Sequence, residues 1–216
     1  MHSLGFQLRR IPSALTLWQH FLHKPLNLWS RFLLVLAAGA LAASLFFPIW
    51  KIRLVAPQYR SGLNIHIYAY KLDSGNNGQD LVEVNLLNHY IGMRPLAKAN
   101  FLEMQWMPFV FGLFLILILR AAAIGNMTQI VDLAVLFSYF GLFSLGTFAY
   151  RMYQYGHDLD TTAPMAIEPF TPVMFGMQKI ANFTQSSYPE WGAYLLFFSW
   201  IFVLLSGFAS RNEKLL

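Results

Sequence analysis

The chain has 216 residues, of which 56% are hydrophobic and 12% charged, with a formal charge of +5. That balance excludes an ordinary soluble domain and points to a membrane protein. There is no cysteine, so no disulfide can hold external loops, and His, Met and carboxylates remain as the possible metal ligands there.

In chain order, residues 1–30 mix Arg9, Arg10, His20, His23 and Lys24 with Leu15, Leu17, Trp18, Phe21, Leu22 and Trp29. This is the composition of a cytoplasmic, interfacial amphipathic segment, in which His20 and His23 read as solvated side chains. Residues 31–50 are the first of four stretches apolar enough to cross a bilayer core of about 30 Å; the others are 106–124, 130–150 and 191–209. The charged region ahead of the first stretch is too long for a secretory signal, so it is read as a span. Within it Gly39 and Ala43, with Ala38 and Ala42 alongside, form a small-residue face suited to close helix packing.

Residues 51–105 form the first external loop. Positions 63–70 alternate as a strand does, 74–78 is a Gly/Asn turn, and 81–84 returns as a second strand, which predicts a β-hairpin. Two strands alone are marginal, so the hairpin needs a partner surface. The second external loop, 151–190, can supply one: Pro164, Pro169, Pro172 and Pro189 make it an extended wrap rather than a helix. Residues 210–216 are a short tail. The expected fold class is an all-α membrane protein, four transmembrane helices with a small extracytoplasmic cap containing a β-hairpin.

Charge sets the orientation. Arg9, Arg10, Lys24, Arg31, Arg120, Arg211 and Lys214 lie outside the two external loops, opposed only by Asp132 and Glu213. Both termini are therefore expected in the cytoplasm of a bacterial inner-membrane protein, with the bilayer itself as the first partner. A basic rim beside anionic lipid accounts for the net charge without nucleic acid. Arg120 and Asp132, each near the inner end of a span, are expected to pair.

The run from Val84 to Met93 (VNLLNHYIGM) places an imidazole and a thioether four residues apart. If the run is helical, His89 and Met93 share a face and can address one ion. Thioether suits Cu(I) better than zinc. Glu103, Met104 and His157, also expected near the outer membrane surface, complete the candidate metal set. In Tyr155-Gly156-His157-Asp158-Leu159-Asp160 the neighbouring carboxylates can orient an imidazole. The packing alternative stands beside this one: His89 buttresses a turn through Asn85 and Asn88, Met93 fills space, and Glu103-Met104 opens a span. His66, on a strand face with Tyr68 and Tyr70, reads as packing. The sequence has no nucleophile elbow, phosphate-binding glycine loop or zinc-protease helix, so a non-enzyme is expected.

Three segments together carry a resemblance: residues 56–63 (APQYRSGL), residues 85–93 (NLLNHYIGM), and residues 156–160 with Ala181-Asn182-Phe183. The pattern resembles a family of bacterial inner-membrane proteins with an APQYPxGL-like motif and an NHYIGM motif, which occurs alongside copper-enzyme and respiratory maturation functions such as those for nitrous-oxide reductase. The likeness covers most of residues 46–194, with Arg60 where the family has proline. It implies copper as the ligand and His89, Met93 and His157 as the residues to carry over. The expected function is an integral membrane accessory protein that handles copper or assists assembly of an extracytoplasmic metalloenzyme. The alternative is a non-catalytic structural subunit of a larger membrane respiratory or monooxygenase complex.

Overall fold

The structure, a computed structural model, describes residues 14–180 and 182–214. Residues 1–13 of the interfacial segment, with Arg9 and Arg10, lie outside the described residues, as do Ala181 and the last two positions of the tail. The described elements, in order, are α1 (Ala14–Leu22), α2 (Leu28–Ser44), β1 (Trp50–Ala56), β2 (Tyr59–Ile67), β3 (Leu72–Ser74), α3 (Gln79–Tyr90), α4 (Glu103–Ile124), α5 (Met127–His157), β4 (Gly176–Ile180), β5 (Phe183–Pro189) and α6 (Trp191–Ser210).

Three of these helices, α4, α5 and α6, are long and apolar enough to cross a membrane. The fourth expected span, α2, has 17 residues and rises about 25 Å, short of the hydrocarbon core. The all-α, four-span expectation is thus corrected: the fold is mixed, with a five-stranded antiparallel sheet in the order β3-β2-β1-β5-β4.

Helix α2 lies antiparallel to α6. Ser30 sits beside Ser206 and Ser210, and Ala37 beside Ser199. The fully buried Ser30 hydroxyl donates to the Ser206 carbonyl at 2.6 Å, and that of Ser199 to the Ala37 carbonyl at 2.8 Å. Such bonds between apolar helices contribute on the order of 0.6 kcal/mol each and fix register. Leu34, Ala37, Ala38 and Leu41 form the buried stripe of α2, in one core with Phe111, Phe114 and Ile118 of α4. Gly39 is not on that stripe. A Cβ built there meets nothing within 4 Å, so the expected Gly39/Ala43 face is replaced by one rotated around Ala37 and Ala38.

The bundle's far end is tied by polar contacts. Asn27 caps α2 by accepting from the Ser30 amide at 2.8 Å, and it donates to the Ala209 carbonyl at 2.9 Å. Arg31 donates to the Ala122 and Ala123 carbonyls at 3.1 and 2.7 Å, placing a cation on the last turn of α4 where the helix dipole favours it. Arg120 and Asp132 are exposed and form none of the ion pairs among the described residues. The expected pairing is therefore absent, and Arg31 provides the tie at this end.

The sheet is the floor of the cap. β1 and β2 form the hairpin, joined at Pro57-Gln58 with Ala56 opposite Tyr59. The second external segment supplies β4 and β5, and β5 pairs with β1. Residues 81–84, expected as the return strand, belong to α3 instead. The reason lies just upstream: Asn76, Asn77 and Gly78 all adopt positive φ and reverse the chain. The buried Asp80 carboxylate then accepts from the Asn64 amide at 2.8 Å and the Asn76 side chain at 2.6 Å. Asp80, Val84 and Asn88, spaced by one turn, become the buried face. Val84 packs with Ile52, Leu54, Leu63 and Ile65 of the sheet and with Met152 of α5. Helix α5 has 31 residues, about 46 Å, so it outruns a bilayer core and carries its last turns into the cap.

Candidate functional site

The NHYIGM segment ends a helix. Helix α3 closes at Tyr90, Gly92 takes φ +77°, and the Met93 and Gly92 amides bond back to the Asn88 and His89 carbonyls at 2.8 and 3.3 Å. This is a Schellman C-cap, with glycine at the left-handed position. Met93 therefore leaves the helix, and the shared helical face expected for His89 and Met93 does not exist.

The same residues hold two other strands of chain. The Asn85 side chain accepts from the Leu96 amide at 2.6 Å and donates to its carbonyl at 3.1 Å, as a strand partner does. The second segment docks on the cap: the Asp160 amide donates to the Gly92 carbonyl at 2.8 Å, and the Met165 amide to the Tyr90 carbonyl at 3.0 Å. A Cβ on Gly92 would lie 2.6 Å from the Asp160 carbonyl oxygen, and one on Gly156 would lie 1.8 Å from that of Phe170. Both glycines are crossings where only hydrogen fits.

Between these docked segments lies a cavity of about 380 Å³ lined by residues including His89, Gly92, Met93, Arg94, Asp158 and Asp160. His89 is exposed at its rim, and Arg94 forms an ion pair with Asp158 across it. The Asp160 carboxyl is held below the usual carboxylate range, first by the Thr162 amide and then by the Thr162 hydroxyl, which donate at 2.9 and 2.7 Å, with His89 adding a smaller pull. It stays ionised at neutral pH.

The five candidate ligands separate. His89 and Met93 line the cavity. His157, at the end of α5, does not line it; its ring stacks on Tyr153 with centroids 3.9 Å apart. Its Nδ1 lies 3.0 Å from the Tyr153 carbonyl, which only accepts, so Nδ1 is the donor in this bond. Glu103 is engaged by Arg151, whose Nε donates to Oε1 at 3.1 Å. Met104 is buried, 6% exposed, in the first turn of α4. These last two stand apart from the cavity. Among the described residues no cluster of three His, Asp or Glu side chains is arranged to hold a metal. One imidazole and one thioether nevertheless share a wall, a donor set that fits a soft ion of low coordination number better than zinc, calcium or magnesium.

The APQYRSGL segment also builds the cap. Gly62 has φ +79° beneath the Arg53 guanidinium, which donates to the Ser61 carbonyl at 2.8 Å. The Tyr59 hydroxyl donates to Glu83 on α3; this bond raises the tyrosine pKa and lowers that of the glutamate. Sequence reasoning missed Asp80 and the half-buried pair His66–Glu190, whose Nδ1 and Oε2 are 3.0 Å apart. The Asn-Asn-Gly run ahead of Asp80 signals a helix start as well as a turn; nothing local in the sequence signals the His66 pairing.

No protein-family model matches the chain, and no curated protein matches it.

Proposed function

We propose that the protein is a membrane-embedded, non-catalytic accessory protein whose cap takes up copper for an extracytoplasmic metalloenzyme. One observation carries this reading: His89 and Met93, separated by a helix end, line the same cavity as Asp158 and Asp160. The copper assignment leans on the thioether and on the resemblance to the NHYIGM family. The basic residues Lys24, Arg31, Arg120 and Arg211 support a bacterial inner membrane as the site, with the bundle end that carries them in the cytoplasm and the cap outside. His157 enters this reading through the resemblance alone.

An anaerobic Cu(I) titration of the gently solubilised, untagged protein tests it. The expected result is saturable uptake in wild type, loss in His89→Ala and weakening in Met93→Leu, which keeps apolar volume. Wild-type protein with no saturable uptake would refute the copper reading.

The second reading, a structural subunit of a respiratory or monooxygenase complex, draws on the work the motif residues do. Asn85 and Gly92 hold backbone in the cap. Stoichiometric co-migration with a large complex, without metal, would favour it.

A further inference from the structure

Helix α3 is amphipathic in the reverse of the usual sense. Its buried face carries Asp80, Val84 and Asn88, whereas Val82, Leu86 and Tyr90 lie off that face and are 48–60% exposed. Spaced by one turn, these three form an apolar stripe. Glu83 stands near its start, and Asp160 docks just past its end through the Gly92 carbonyl. Over Gln79–Tyr90 the helix has two carboxylates and neither Lys nor Arg. A helix that lies on a lipid surface presents those bases on its polar face, so this stripe suits protein rather than lipid.

The other side of the sheet is its complement. Ile52, Leu54 and Ile65 pack with Val84 under α3, so alternation turns Lys51 and Arg53 to the open side, together with Tyr188 opposite Lys51. On β4 the same register brings Met177 and Lys179 there. Phe175 packs edge-on against Tyr188 at 5.3 Å, and Phe175 and Met177 are 63% and 72% exposed. The carboxylates on this side are engaged, Glu190 by His66 and Asp73 by Lys71, which leaves Lys51, Arg53 and Lys179 around the aromatic patch. Residues 51–105 and 151–190 together hold eight basic and eight acidic residues, so the two signs are separated in space within a balanced cap.

We propose that the α3 stripe of one copy docks on the open sheet face of the next, so that the protein associates head-to-tail in the membrane plane. Each face has an apolar centre of the Tyr, Met, Phe and Leu kind with charge at its edge, the composition of an interface core and rim. The edges are opposite in sign, which attracts copies in this orientation and disfavours stripe against stripe or sheet against sheet. The two faces lie on opposite sides of one sheet, so the contact is heterologous rather than twofold. It requires no metal.

The test is energy transfer between donor- and acceptor-labelled full-length copies, tagged at the C-terminal tail and reconstituted together in phosphatidylcholine vesicles. Wild type should show transfer above the random-proximity level, falling at least about threefold in apparent association from about 0.05 to about 0.5 M NaCl as the edge charges are screened. Lys51→Glu with Lys179→Glu makes the sheet face acidic; Val82→Lys with Leu86→Lys makes the stripe basic. Either double variant alone should associate at least about tenfold more weakly than wild type. A mixture of the two should regain wild-type transfer, because the unaltered stripe of the first meets the unaltered sheet of the second and the reversed faces also match. That recovery separates a lost contact from a lost fold. Wild-type transfer no greater than random proximity, a mixture no better than its components, or loss in only one of the two double variants would overturn the head-to-tail contact.

Discussion

In the bundle, α2 and α6 approach closely because Ala37, Ala38 and serine hydroxyls leave room for backbone to meet backbone. In the cap, the close approaches are made at single glycines, Gly92 and Gly156, where one segment crosses another. The first arrangement spreads its stability over a stripe of many small contacts. The second concentrates it at positions where one added carbon collides with a carbonyl. Substitution should therefore be tolerated around most of the bundle surface and punished sharply at a few cap positions.

The strongest test of that contrast is Gly156→Ala. With Phe170 O 1.8 Å from the new Cβ, relief needs movement of backbone, and the cap should lose more than about 3 kcal/mol. Limited proteolysis should cut between residues 158 and 175 while far-UV circular dichroism retains the bundle helices. Gly92→Ala follows, with strained φ and a contact of 2.6 Å to Asp160 O; a loss of about 2 kcal/mol is expected. Its signature is earlier thermal unfolding together with weakened Cu(I) uptake, because the cavity wall moves.

In the bundle the comparison is between neighbours. Ala38→Leu enters the packed stripe and should cost about 1–3 kcal/mol by overpacking, read as lower thermal stability in detergent. Gly39→Leu, pointing into open space, should stay within about 0.5 kcal/mol of wild type. Equal effects at the two positions would mean that the contact face is not the one described.

That pair also marks how far the sequence can be read. The apolar stretches and the alternation at 63–70 are visible because their periods are local. The rotation of α2 was not visible, since Gly39/Ala43 and the true stripe offer similar small residues, and choosing between them depends on where Ser199 and Ser206 lie in α6. Positions 81–84 suit a strand by composition; the helix follows from Asp80 reaching the Asn64 amide, a contact between segments. His89 and Met93 were legible as donors. Their meeting in one cavity depends on the docking of Asp158 and Asp160 from a distant segment, and Glu103 was claimed by Arg151, which no spacing rule reveals.

The smallest effect concerns pH. The Asp160 pKa is lowered in the folded cap, so its contribution is complete above the unfolded carboxylate value near pH 4 and is lost as pH falls through the lowered folded value. Hydrogen exchange at the Thr162 amide should remain slow at about pH 4 and quicken only below it.

X-ray absorption at the copper edge of Cu(I)-loaded protein tests the central claim most directly. The account expects nitrogen and sulfur scatterers together in wild type, with the sulfur lost in Met93→Leu and no bound copper to report in His89→Ala. A copper environment of nitrogen and oxygen alone, unchanged by Met93→Leu, would contradict it.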